Sequence, residues 1–190
     1  MIRIAPARRV LAGALAVWLA AAPPTRVPTA RADVAAGELA KYAQPIDQAI
    51  DQALTFLAKH QKKDGSFVSR YPVAATGLSV MAFLAKGQTP GVGPFGKTID
   101  RGVDYVLAQQ KPDGMFPPRM YSHCIATLML SEVSGMVDVE RQKKVDVALA
   151  KGLKLIVAAQ QVKKHNKFQG GWRYSPNSND SDISCTGWAL

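Results

Sequence analysis

One phrase returns three times along this chain. It sets a small residue ahead of an aromatic or aliphatic pair, then a glutamine, then a glycine two positions before an aromatic ring. The first copy is Ala53, Phe56-Leu57, Gln61, Gly65 and Phe67, and the second is Gly102, Tyr105-Val106, Gln110, Gly114 and Phe116. The third is Gly152, Leu155-Ile156, Gln160, Gly170 and Trp172, so the copies begin 49 and 50 residues apart. A period of this size marks one supersecondary unit stacked on itself, because neighbouring units bury faces that no single unit can bury alone.

Each copy resolves into two helices. In the first, Ile46, Ala49, Ile50, Ala53, Leu54 and Leu57 fall on one helical face, and Pro45 suits the first helical position. The third copy repeats the stripe at Val145, Ala148, Leu149, Gly152, Leu153, Ile156 and Val157. After the glutamine comes a turn, Lys63-Asp64-Gly65 or Pro112-Asp113-Gly114, whose Asp-Gly step suits a tight reversal. The aromatic residue that follows is expected to plug the seam between units. Second helices follow at 74–86 and 123–133, ended near Gly87 and Gly135, and the stretch from Gln88 to Gly96 links the first pair to the second. Helix-interior glycines cost about 1 kcal/mol relative to alanine. Gly77, Gly102, Gly152 and Gly187 therefore predict close helix approach. The fold class is all-α, with repeats over 45–96, 97–143 and 144–190.

The first 32 residues stand apart. Arg3, Arg8 and Arg9 precede an apolar run from Val10 to Ala22, and Ala30-Arg31-Ala32 offers a small-x-small cleavage pattern, which together read as a secretory signal peptide. Residues 33–44 read as a linker. Removing the leader takes five of the 24 basic residues and none of the 14 acidic ones, which halves the formal charge from +10 to +5. The remaining basic residues form no aromatic-interleaved stripe, so a nucleic-acid partner is not expected. Cys124 and Cys185 are too few for a disulfide scaffold.

The phrase resembles the QW-type repeat of squalene and oxidosqualene cyclases, shared in looser form by protein prenyltransferase β subunits. The second copy carries the resemblance best, as Arg101-Gly102-Val103-Asp104-Tyr105-Val106-Leu107-Ala108-Gln109-Gln110 and then Gly114-Met115-Phe116. Similarity runs from about Gln44 to Leu190. It implies an α/α toroid, a ring of helical hairpins around an apolar central cavity. Five to seven hairpins usually close such a ring, and about two and a half are present, so the chain is expected to be part of a longer protein.

Squalene-hopene-type cyclases protonate an alkene with an aspartic acid lying between Gly-Gly-Trp and Trp-Ala-Leu. Here Gly170-Gly171-Trp172 is followed by Asp180-Ser181-Asp182-Ile183 and then Trp188-Ala189-Leu190. The resemblance thus nominates Asp182 and Asp180 as catalytic acids, with His123 and Trp188 as ligand-facing residues. Such an acid must stay protonated among apolar walls. The fourth position is Ile183 rather than an acid, and Asp182 or Ser184 equally suits the N-cap of the following helix. Ser122 likewise suits a cap beside His123. Asp182, Cys185 and the His123-Cys124 pair sketch a zinc set of the prenyltransferase kind, but the spacing departs from the family's Asp-x-Cys, and neither a metal nor a cofactor is expected.

The function expected from these features is that of an exported repeat protein binding or transforming an isoprenoid-like apolar ligand. If it is catalytic, it is an isomerase of the class II terpene cyclase kind. A non-catalytic interaction scaffold with a protein partner is the competing expectation, and a polysaccharide lyase on the same fold is a third.

Overall fold

The computed structural model describes residues 29–190, with side chains from residue 40 onward, so the run from Arg3 to Ala22 that reads as a signal peptide in sequence lies outside the described residues. Six α-helices follow one another: α1 (Thr29–His60), α2 (Pro72–Ala85), α3 (Gly96–Ala108), α4 (Met120–Val133), α5 (Val139–Gln161) and α6 (Ile183–Ala189). A 3₁₀ turn at Asn166–Phe168 interrupts the loop before α6, and no strand occurs among the described residues. The chain is all-α. Residues Pro45–Leu190 form one compact unit, and the residues up to Gln44 are grouped apart from it.

The helix expected to open at Pro45 in fact begins at Thr29 and carries Pro45 inside it, so the stretch 33–44 is helical. That stretch is rich in Ala, with Glu, Leu and Lys, all strong helix formers. Within Pro45–Leu190, α2 packs on α3 and α4, α4 packs on α5 and α6, and α3 touches α5. The second helices α2, α4 and α6 therefore form one layer, with α3 and α5 laid against it. Each of these first helices leans on the second helix of the preceding pair.

That lean explains a departure from the expected stripe. Val145 and Ala148 of α5 and Ile99 and Val103 of α3 are buried, whereas Ile46, Ala49, Ile50 and Ala53 of α1 are exposed and only Leu54 is fully covered. No second helix precedes α1 among the described residues.

The joints are built from the recurring phrase. Gln61 Nε2 donates to the carbonyl of Gly65 in its own turn and to that of Thr98 in α3, both at 2.9 Å. Gln110 Nε2 donates to Gly114 at 3.0 Å and to Ala148 in α5 at 2.9 Å. One amide group thus satisfies a turn carbonyl that burial would otherwise leave unpaired, and adds a second bond to a helix carbonyl of the next pair. The turns match as well. Asp64 Oδ1 accepts from the Ser66 amide at 3.0 Å, and Asp113 Oδ1 accepts from the Met115 amide at 2.9 Å.

Gly65 and Gly114 have φ of 89° and 92°, and a Cβ on either would lie 2.1 or 2.9 Å from the carbonyl oxygen of Arg101 or Lys151. Only glycine combines that backbone conformation with that approach. Gly102 and Gly152 meet Val80 and Thr127 just as closely, at 2.7 and 2.9 Å from a built Cβ. The helix-interior glycines therefore do mark contact, except Gly187, beside which nothing lies within 4 Å. Phe67, Phe116 and Trp172 are all buried behind these turns.

Gly65→Ala is expected to destabilise the protein by about 1–3 kcal/mol through the clash with Arg101. Gln110→Ala should cost a similar ~1–3 kcal/mol by orphaning the Gly114 carbonyl and cutting the tie to α5, and Gln160→Ala less. Denaturant melts of the three variants check this order.

Candidate functional site

His123 lies at the centre of α4 packing with no exposed surface. Its Nδ1 accepts from the Phe116 backbone N–H at 3.2 Å, and its Nε2 lies 3.1 Å from the Gly152 carbonyl. Because a backbone amide donates to Nδ1, the proton must sit on Nε2, which donates to Gly152. The ring is neutral and both nitrogens are occupied. Burial pushes the imidazole below its usual value of 6.5.

The sequence suggests a ligand-facing role for His123, and here both ring nitrogens bond backbone groups. The neighbouring joints show what it does: Thr76 Oγ1 accepts from the Phe67 amide at 3.2 Å, and Thr186 Oγ1 accepts from the Trp172 amide at 3.1 Å. His123 does for the second ring what threonines do for the first and third, and its longer side chain also reaches α5. Ser122 is not the cap of α4, which starts three residues earlier because the Met120 amide donates to the Tyr174 carbonyl at 3.0 Å.

Asp182 is the N-cap of α6. Its Oδ1 accepts from the Cys185 amide at 2.7 Å and from Ser184 Oγ at 2.8 Å, and its Oδ2 accepts from Arg173 at 3.1 Å. The Cys185 backbone bond, ahead of Ser184 and Arg173, holds the carboxyl below the usual carboxylate range. A group held ionised cannot deliver a proton to an alkene. Of the two roles open to it in sequence, capping is the one the geometry displays. Asp180 lies 3.5 Å from Arg173 and shares its charge. Trp188 packs half-buried against a cluster containing Met115, Met120 and Cys124.

Cys124 and Cys185 are free, buried thiols of that same cluster, each pushed up to about 12 chiefly by burial. Among the described residues no three or more His, Cys, Asp or Glu side chains gather as a metal would need.

A groove of about 670 Å³ runs between α3 and α5, and its acidic residues are paired with Arg141 or Lys143. Arg141 pairs there with Asp104 at 2.8 Å, with Asp100 at 3.5 Å and with Asp138. It is a strut from α5 to α3 rather than a receptor. A smaller cavity of about 420 Å³ opens at the N-terminal ends of α2 and α4, lined by Tyr71, Ala74, Arg119, Tyr121, Ser122, Ile125 and Tyr174. Its walls are chiefly apolar.

Tyr121 and Tyr174 stack with centroids 6.0 Å apart, and the Arg119 guanidinium sits 5.5 Å from the Tyr174 ring. Arg173 covers the same ring at 4.7 Å. Tyr121 Oη donates to Ser184 Oγ, which passes the bond on to Asp182, so the α6 cap also steadies this wall. No carboxylate lines the cavity, and no ion pair engages Arg119 among the described residues. Flat amphipathic rings and one cation around an apolar hollow suit an apolar molecule with a polar or anionic end.

Sequence reasoning missed Tyr71, Arg119 and Tyr174. They come from three different helix pairs, and no spacing between them signals that they meet. Comparison with protein-family models and with curated proteins returned no match. No helix among the described residues is long and apolar enough to cross a membrane.

Because the folded imidazole of His123 sits below its unfolded value of 6.5, its contribution to stability is complete above that pH and is lost as pH falls toward the folded value. Melting temperature should decline on acidification below about 6.5, and His123→Thr should flatten that decline while lowering stability at pH 8. Thermal melts across pH 4.5–8 measure both.

Proposed function

We propose that this protein is a repeat-built binding protein of the squalene cyclase and prenyltransferase type, exported by its leader, which holds an isoprenoid-like apolar ligand without converting it. On this reading the helical hairpins form part of an α/α toroid, and the cavity among Tyr71, Arg119, Tyr121 and Tyr174 opens where the second helices face the ring's hollow. The single observation that carries the reading is that cavity: an apolar hollow walled by aromatic rings from three helix pairs, with one cation at its rim. Arg119 offers the ligand's polar end a counter-charge, while the tyrosine faces and Ile125 cover its hydrocarbon.

Binding is favoured over cyclisation by the state of Asp182. A proton donor to an alkene has to be a neutral acid in a dry, apolar setting, whereas this carboxylate caps a helix and pairs with Arg173. The interaction-scaffold reading also has an observation behind it, the uncovered apolar face of α1.

A fluorescent farnesyl probe tests the proposal. Ala74→Trp, which fills the cavity from α2, should weaken probe binding at least about tenfold, since displaced contacts of this size are worth over 1.4 kcal/mol, with little change in melting temperature. Asp182→Asn should leave binding intact and lower stability by less than about 1 kcal/mol, asparagine being a good cap. Probe binding unaffected by Ala74→Trp, or turnover of squalene lost in Asp182→Asn, would refute the reading.

A further inference from the structure

We propose that the side of the molecule on which the tyrosine-lined hollow opens docks on an anionic lipid surface. The inference rests on the surroundings of the hollow and not on which molecule fills it.

The turns that lead into α2 and α4 end at that opening, since their last residues, Tyr71 and Arg119, line it. The first turn carries Lys62, Lys63 and Arg70, and the second carries Lys111 and Arg119. All five are exposed, and none of them forms an ion pair among the described residues. Lys62 and Lys111, like Arg70 and Arg119, stand 49 residues apart, so each joint brings the same two cations. The acidic residues of the two turns are engaged by the backbone, Asp64 by the Ser66 amide and Asp113 by that of Met115.

The cations sit beside rings and an uncovered aliphatic side chain. Arg70 lies 5.6 Å from the Tyr71 ring, and Arg119 lies 5.5 Å from that of Tyr174. Tyr71 and Tyr174 are 39% and 41% exposed, and Val68, in the same turn as Arg70, is 77% exposed. Amphipathic rings, an exposed aliphatic group and unpaired cations together suit a lipid–water boundary. The guanidinium and ammonium groups meet negative headgroups, while Val68 and the ring faces reach the acyl boundary. A polyanion in solution would engage the cations alone and leave Val68 and the apolar lining in water.

Beyond the C-terminal ends of α2 and α4 the pattern is reversed. Lys86 pairs there with Asp47 and Asp51, Arg141 with Asp100, Asp104 and Asp138, and Lys143 with Glu140. Cations neutralised at one end and bare around the hollow orient the molecule toward a negative plane. Docking in that orientation turns the opening of the hollow toward the acyl chains.

Sedimentation with vesicles tests the proposal. The protein should pellet with vesicles of mixed phosphatidylglycerol and phosphatidylcholine, stay in solution with phosphatidylcholine alone, and be released by high salt. Lys63→Glu, Arg70→Glu and Lys111→Glu combined should weaken partition at least about tenfold. Val68→Asp should weaken it as well, and neither change should move the melting temperature. Ala74→Trp, which fills the hollow, should leave vesicle binding undiminished, so docking and the fate of the farnesyl probe are read separately. Binding that survives the triple substitution, as it would if the apolar run 10–22 carried it, overturns the proposal. So does equal binding to phosphatidylcholine vesicles. A soluble sulfated polysaccharide bound as tightly as the vesicles, with Val68→Asp without effect, would also overturn it by showing a polyanion site.

Discussion

The forked donation of one glutamine amide, to its own turn and to the next helix, is the interaction on which the structure depends. Gln61 and Gln110 each bond a carbonyl of their own turn and a carbonyl of the next first helix. That bond demands a glycine in the turn, because any side chain at 65 or 114 would strike the backbone the glutamine is reaching for. It also demands a small residue on the receiving helix, since Val80 and Thr127 stand where a Cβ would go on Gly102 and Gly152. Glutamine, turn glycine and small residue are thus one mechanical part, and the buried ring behind the turn closes it.

From this part follow the roles of residues that look chemical in isolation. His123 is held neutral because the joint needs an acceptor for the Phe116 amide and a donor for the Gly152 carbonyl, and a neutral imidazole is both. Asp182 is held ionised because the first turn of α6 and Arg173 both favour the charged form. Polar groups that might have done chemistry are spent on architecture. The hollow at the ends of α2 and α4 is lined instead by Arg119, Ile125 and three tyrosines, one of them bonded to the α6 cap.

Much of the fold was legible in sequence because its signals are local. The α5 stripe, the Asp-Gly turns and the aromatic plugs are each set by residues within a dozen positions of one another, and helices and turns are short-range structures. Where the reading departed from the structure, the reason was long-range. Ile46 and Ile50 carry the right periodicity but no covering helix. Pro45 did not start its helix, since the residues before it favour helix strongly enough to tolerate the lost backbone bond. The candidate site was least legible: His123 and Asp182 drew notice by residue type, and residue type does not reveal which partners a side chain will meet.

The sequence by itself determined that these residues make paired helices with a glycine-aromatic lock at a fixed interval, because periodicity and turn chemistry act between near neighbours. Only the tertiary structure decided that each first helix leans on the preceding pair, that His123 faces inward, and that Tyr71, Arg119 and Tyr174 enclose one hollow. Those outcomes depend on contacts across 29 to more than 100 residues of chain, as between His123 and Gly152 or Tyr71 and Tyr174. Packing geometry sets them, and no spacing along the chain encodes it.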